Sequence, residues 1–247
     1  MFQYQASPDL LKGHTILVTG AGSGIGRAAA LTYARHGATV ILLGRNTEKL
    51  EAVYDEIEQN NGPQPAIIPM NLETATDHDF NQLAETIEKE FGELNGLLHN
   101  AGVLGELKPI SQYPTADWQQ VMQVNLTAPM MMTRELLPLM RQSEQASIIF
   151  TSSSVGHNGR AHWGAYSASK FATEGLMQIL ADEEDGISAV RVNTINPGGT
   201  RTGMRATAFP GEDPQTLPTP EDIMPVYLYL MGNDSIDVSG QAFHAQK

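Results

Sequence analysis

Tyr166 and Lys170 stand four residues apart in Tyr166-Ser167-Ala168-Ser169-Lys170, with Ser153 thirteen residues upstream and Asn125 earlier still. On a helix, positions i and i+4 share a face. A Lys ammonium there would sit beside the Tyr hydroxyl and favour its phenolate, so that Tyr166 could give or take a proton near neutral pH. None of the other six tyrosines has a Lys at that spacing. The pair alone also matches a Tyr on a core-facing helix; its weight comes from its company.

That company is a cradle for a nucleotide. Thr19-Gly20-Ala21-Gly22-Ser23-Gly24-Ile25-Gly26 follows an apolar strand and opens a helix. Unpaired N–H groups and the helix dipole attract a pyrophosphate at such a place. The spacing is T-G-x-x-x-G-x-G, with Ile25 standing where a G-x-G-x-x-G fingerprint would have glycine. At the end of the second strand, an NAD-preferring dinucleotide fold carries an acid for the ribose 2′-hydroxyl. Here the strand ends Leu43-Gly44-Arg45-Asn46. Arg45 offers a forked donor to a 2′-phosphate and a plane to stack on adenine, which points to NADP(H).

The elements that must position these groups alternate short β-branched runs with longer helical periods, the pattern of a parallel sheet with crossover helices. Strands are expected at 15–19, 39–43, 66–70, 96–99, 147–151, 189–195 and 241–244. Helices are expected at 24–36, 47–59, 76–91, 115–141 and 164–184, with Gly37 and Gly92 as stop signals. Thr219-Pro220-Glu221-Asp222 caps a further apolar helix. The fold class expected is therefore α/β: one Rossmann-type, three-layer domain over residues 1–247, with a mostly parallel seven-stranded sheet. The Pro/Gly-rich stretch at about 203–218 reads as an irregular substrate loop or lid.

Composition narrows the function. With 28 acidic and 15 basic residues the formal charge is −13, which disfavours nucleic acid and anionic membrane surfaces as partners. The chain has no Cys, so thiolate catalysis and Cys-based zinc sites are excluded, in keeping with a cytoplasmic protein. The seven His are not paired with acids at ligand spacing, so no metal is expected. Ser153 is not in G-x-S-x-G, which argues against hydrolase chemistry. The start carries no basic region followed by an apolar stretch, and no apolar run reaches membrane-spanning length. The Met-rich segment from Trp118 to Met140 reads as core or subunit interface. His157, His162 and Trp163 lie between Ser153 and Tyr166, and Trp163 could stack on a flat substrate.

Over nearly its whole length the chain resembles the short-chain dehydrogenase/reductase family. The resemblance rests on the turn Thr19 to Gly26, on Asn100-Ala101-Gly102 after the fourth strand, and on Asn125. It continues through Ser153, the Tyr166/Lys170 pair and Pro197-Gly198-Gly199-Thr200-Arg201-Thr202. It implies an NADP(H)-dependent oxidoreductase acting on a carbonyl or secondary alcohol, and a homo-oligomer, dimer or tetramer. The implied catalytic set is Asn125, Ser153, Tyr166 and Lys170. Tyr166 would be the acid/base and Lys170 would bind the nicotinamide ribose and lower the Tyr pKa. Ser153 would bond the substrate oxygen, and Asn125 would hold a water linking Lys170 to solvent. For the cofactor, the resemblance implies Gly20, Ser23, Gly24, Ile25 and Gly26 at the pyrophosphate, with Arg45, Asn71 and Leu72 at the adenosine. Asn100, Ala101 and Gly102 would line the middle, and Tyr166, Lys170, Pro197, Gly198, Thr200 and Thr202 the nicotinamide end. Asn71 stands where the family commonly has an acid, and His99 replaces the first Asn of N-N-A-G and is expected to support the strand end. A different class of function, a cofactor-binding regulator or scaffold with little turnover, fits the cradle without using the full Asn125, Ser153, Tyr166, Lys170 set. Epimerisation or dehydration on the same scaffold is a third reading.

Overall fold

The computed structural model describes residues 1–246. Seven strands make one sheet: β1 Thr15–Thr19, β2 Thr39–Gly44, β3 Ala66–Pro69, β4 Gly96–His99, β5 Ala146–Thr151, β6 Val190–Asn196 and β7 Ala242–His244. Their order is β3-β2-β1-β4-β5-β6-β7. Every neighbouring pair is parallel, so the expected mostly parallel sheet is wholly so. Parallel neighbours need crossovers, and these are supplied by helices α1 Gly24–Arg35, α2 Thr47–Gln59, α3 Asp77–Phe91, α4 Thr115–Met122, α5 Ala128–Met140 and α6 Gly164–Glu184. The short α7, Gly203–Ala208, and α8, Met224–Met231, follow β6.

Both sheet faces are covered, and the period of two along each strand divides the core. Val18, Leu42, Leu98, Ile149 and Ile195 face α1, α2 and α8, where Leu50, Val53, Ile57 and Tyr227 are buried. Leu17, Ile41, Leu97, Ile148 and Val192 face the other way, against Phe80 and Leu83 of α3, Met132 and Leu136 of α5, and Met177 of α6. Each such side chain contributes about 1.5–3 kcal/mol by leaving water. The sheet is thereby a rigid base whose strand ends can hold polar groups in fixed places. Among the described residues, no helix is long and apolar enough to cross a membrane.

The chain runs outward from β1 to β2 and β3, then returns to β4 on the opposite side of β1. The connections leaving β1 and β4 therefore part in opposite directions, opening a crevice beyond their carboxyl ends.

Two expectations are corrected. The segment 115–141 is a helix interrupted by one wide turn, Gln123–Thr127, with Asn125 at its centre. Pro129 follows at the start of α5 and has no N–H to give to the Asn125 carbonyl four residues back, and the bond that marks the wide turn runs from Ala128 N to Gln123 O. The stretch 203–218 is also more regular than expected. Thr202 accepts a bond from Arg205 N at 3.2 Å and starts α7. Arg201 donates to the Pro214 and Leu217 carbonyls at 2.8 and 3.1 Å, which ties the remainder back to the body. The expected capping of the last helix is present: Thr219 N donates to Asp222 at 2.7 Å, and a short 3-10 turn leads into α8.

Two glycines give opposite predictions. A Cβ at Gly26 would collide with the Gly20 carbonyl oxygen and stand 2.6 Å from Asn100 Nδ2. Gly26→Ala should cost about 1–3 kcal/mol, read as a fall of several degrees in the thermal midpoint. Gly175, inside α6, has nothing within 4 Å of its Cβ position. Gly175→Ala should raise stability by about 0.5–1 kcal/mol.

Candidate active site

The Thr19 hydroxyl, at the end of β1, joins the two sides of the crevice. It accepts from Asn100 N at 2.9 Å and Ala101 N at 3.0 Å, and donates to the Leu98 carbonyl at 3.2 Å. Asn100 Nδ2 reaches back to the Thr19 carbonyl at 3.4 Å. Gly20 continues with φ at +69°, where a Cβ would stand 3.0 Å from Ala101 Cα; a side chain would be strained there and would crowd the opposite wall. The first intrahelical bond of α1 is Arg27 N to Ser23 O, at 3.2 Å. The amides of Gly24, Ile25 and Gly26 are thus left as helix-start donors. Ser23 makes no capping bond with its side chain, so its hydroxyl can serve a ligand.

Two cavities, about 400 and 250 Å³, share Gly20, Ser23, Lys49, Ala101 and Gly102 as walls. They form one elongated cleft along the crevice. Arg45, Asn71 and Leu72 line one end. Ser153, Tyr166, Lys170, Pro197, Gly198, Thr200 and Thr202 line the other. Of the expected residues, Gly26 and Asn125 do not line the cleft; they act from behind its wall. Gly26 allows α1 to approach Asn100. Asn125 accepts from Val103 N at 2.8 Å and donates to Val103 O at 3.0 Å and Ser169 Oγ at 3.1 Å, which fixes the segment after β4 to α6. Asn71 spends its side-chain oxygen on Glu73 N at 3.2 Å, leaving its amide N–H groups for a ligand. An elongated cleft with a glycine cradle, a helix start in its middle and an Arg at one end fits a phosphorylated dinucleotide.

At the far end Tyr166 and Lys170, both on α6, are buried, 9% and 5% exposed. The Lys170 ammonium donates to the Thr151 carbonyl at 2.6 Å and lies 5.6 Å from the Tyr166 ring centre. The sequence led us to expect a phenol below its ordinary pKa. Burial is the larger influence and pushes Tyr166 up to about 12, opposed by a hydrogen bond with Ser153. Burial also pushes Lys170 down to about 8, opposed by the Glu174 carboxylate. The physical reason is the same for both groups: each charged form lies under the lid of protein, out of reach of water. His99 is buried, stacked on Phe150 at 4.7 Å and bonded through Nε2 to Thr133 Oγ1 at 2.8 Å. Burial drives its pKa to about 3; it is a neutral structural residue, as expected.

Sequence reasoning missed three groups. Gln246 donates to Pro197 O at 2.7 Å, Gly199 O at 3.1 Å and Thr200 Oγ1 at 3.2 Å. It holds the loop after β6, and only the pairing of β7 with β6 brings it there. Glu174, 6% exposed, bonds Thr194 Oγ1 at 2.9 Å and stands 3.2 Å from His157 Nε2; its i+4 spacing from Lys170 was a visible signal. Phe209 and Leu104 complete the wall around Trp163 and Tyr166. Among the described residues no cluster suited to a metal ion occurs.

Lys170 gives a test of its burial. The folded chain binds this proton less tightly than the unfolded one, so the charge destabilises the fold below about pH 8 and the penalty is relieved as pH rises towards 10.5. Between about pH 8 and pH 10, the stability of the wild type relative to Lys170→Met should rise by about 2–3 kcal/mol. Urea unfolding at a series of pH values measures it; a constant difference would refute the burial argument.

The fold and cleft have clear relatives. A family model described as short chain dehydrogenase matches residues 14–213. The chain is 58% identical over 243 residues to the uncharacterized oxidoreductase YciK of Escherichia coli K12, covering 98% of this chain and 96% of that one. A solved structure of yciK from E. coli superposes with a TM-score of 0.97 at 57% identity, covering 100% of both chains. A chain from E. coli CFT073, complexed with NADPH, superposes at 0.95 with 57% identity, covering 98% of this chain and 100% of that one. A match of this extent, on a sheet whose crevice holds the same ordered residues that the sequence singled out, establishes that the chain belongs to the short-chain dehydrogenase family.

Proposed function

We propose that the chain is an NADP(H)-dependent oxidoreductase that transfers a hydride between nicotinamide and a carbonyl or secondary alcohol, with Tyr166 as the acid/base. The observation that carries this reading is the meeting of Ser153, Tyr166 and Lys170 at one end of a cleft whose other end holds Arg45. NADP(H) rather than NAD(H) is supported by Arg45, whose side chain has no hydrogen-bond or ion-pair partner among the described residues, and by the NADPH in the E. coli CFT073 relative.

Bound at Pro197 to Thr202, the nicotinamide supplies the hydride in reduction and accepts it in oxidation. The protein does the rest. Ser153 holds the substrate oxygen and orients the carbonyl towards Tyr166. As the carbonyl carbon gains the hydride, its oxygen takes the phenolic proton, giving the alcohol and leaving a phenolate. A phenol held up at about 12 is fully protonated at neutral pH and ready to act as the acid. The Lys170 ammonium stabilises the phenolate. Its proton, loosened to about 8, can be passed on to restore the phenol. In oxidation the same steps run backwards. Asn125 keeps α6 and the post-β4 segment in register, so that the acid and the cofactor wall stay at fixed separation.

Two variants test the two ends of the cleft. Tyr166→Phe should lower kcat on a carbonyl panel by about 100- to 10,000-fold while NADPH binding, measured by calorimetry, persists; wild-type turnover in this variant would overturn the assignment. Arg45→Ala should weaken NADPH about 10- to 100-fold and NADH much less, since only the adenine stacking is shared. NADH preference in the wild type would overturn the 2′-phosphate argument. Tight NADPH binding without turnover of any carbonyl would transfer the chain to the cofactor-binding regulators.

A further inference from the structure

The cleft wall beyond Tyr166 carries chemistry that the hydride transfer does not use. The Trp163 ring centre lies 5.8 Å from that of Tyr166 and 5.7 Å from that of Phe209, and Leu104 and Ala208 complete an apolar slot. Such a slot makes no hydrogen-bonding demand on the body of a ligand and selects flat or hydrocarbon shapes. At its rim the Arg160 guanidinium stands 5.8 Å from the Trp163 ring centre and 5.5 Å from that of Phe209. A cation at this distance is attracted to the aromatic faces, and its N–H fork remains available for an anion.

The arginines of this acidic chain are otherwise almost all committed. Arg27, Arg134, Arg141 and Arg205 pair with carboxylates. Arg191 and Arg201 are spent on backbone carbonyls. Arg205 shows the contrast most directly: it lies 3.7 Å over the same Phe209 ring, but Glu212 occupies it at 2.6 and 2.7 Å. Among the described residues, the side chains of Arg35, Arg45 and Arg160 have no hydrogen-bond or ion-pair partner. Arg35 sits in the last turn of α1, where it complements the helix dipole. Arg45 lines one end of the cleft, and Arg160 lies beside Trp163 and Phe209, which line the other. In a chain of formal charge −13, an exposed cation with no carboxylate beside it, next to the aromatic rings of the slot, has an electrostatic vacancy for an acidic group.

We infer that Arg160 is the anion receptor of the substrate pocket, and that the substrate is a carbonyl or alcohol with a flat or hydrocarbon body and a carboxylate at its far end. The carbonyl meets Ser153 and Tyr166, the body lies against Trp163 and Phe209, and the carboxylate reaches the Arg160 fork. Two steps of 5.8 Å, from Tyr166 to Trp163 and from Trp163 to the guanidinium, bound the separation of the two ends at a length that a two-ring or medium-chain molecule can cover. The inference rests on the proposed carbonyl chemistry, so its test includes a readout that needs no turnover.

The probes are a formylnaphthoate and its methyl ester, which differ in charge and share the same body and aldehyde. Binding is read from quenching of Trp163 fluorescence in a Trp118→Phe background, where Trp163 is the remaining one of two indoles, with NADP+ saturating. Reduction is read with NADPH. The acid should exceed the ester by about tenfold in affinity and in kcat/KM, through KM, and salt should shrink the ratio. Arg160→Ala should bring the ratio near one and Arg160→Glu should invert it. Equal treatment of acid and ester by the wild type, or an acid preference that survives in Arg160→Ala, would overturn the inference. Arg160-dependent selective binding without reduction of either probe would uphold the receptor and sink the carbonyl chemistry. Equal reduction of both would do the reverse.

Discussion

The Thr19 hydroxyl binds the two halves of the cleft into one object. A doubly wound sheet parts its connections between β1 and β4 and leaves backbone amides at both strand ends in need of partners. By accepting from Asn100 and Ala101 and donating to Leu98, one hydroxyl satisfies those amides and sets the width of the crevice. The glycine turn then has to pass through the space that remains. That is why Gly20 takes a left-handed backbone against Ala101, and why Gly26 tolerates no side chain against Asn100. The helix start that could cradle a pyrophosphate is thus placed by a packing constraint between two strands.

The Tyr166 end of the cleft follows from a second constraint, the burial of Tyr166 and Lys170 on α6. Tyr166 and Lys170 were legible as a pair because helical geometry puts i and i+4 on one face. The effect of burial on each of them was not legible. Burial raises the phenol and lowers the ammonium, a result of the depth at which α6 packs against β6, the turn at 154–156 and the wide turn at Asn125, which a spacing rule does not contain. The same helix continues into Glu174, whose carboxylate lies buried near His157 and Thr194. Its charge favours the Lys170 ammonium and opposes the burial penalty.

At the substrate side the chain uses cations differently on the two flanks of Phe209. Arg205 and Glu212 close on each other and hold α7 over the cleft, so the segment expected to be irregular is braced at its start. Arg160 remains available. The aromatic trio of Trp163, Tyr166 and Phe209 forms a continuous series of neighbouring rings that gives this end of the pocket its apolar character.

Local rules determined much of this protein from its sequence. The alternation of β-branched runs and helical periods gave the parallel α/β architecture. The glycine turn after β1, Arg45 after β2 and the pair on α6 marked both ends of the cleft, because each depends on spacing along a single element. What required the tertiary structure depends on contacts between distant segments. Pro129 has no N–H to give to the Asn125 carbonyl, but the bonds of Asn125 to Val103 and Ser169 exist only once three elements pack together. Gln246 reaches the Pro197 loop only because β7 lies beside β6, and Arg160 meets Phe209 only across the mouth of the folded cleft. Periodicity and spacing report one element at a time; partner choice, burial and the pKa shifts that follow are properties of the assembled core.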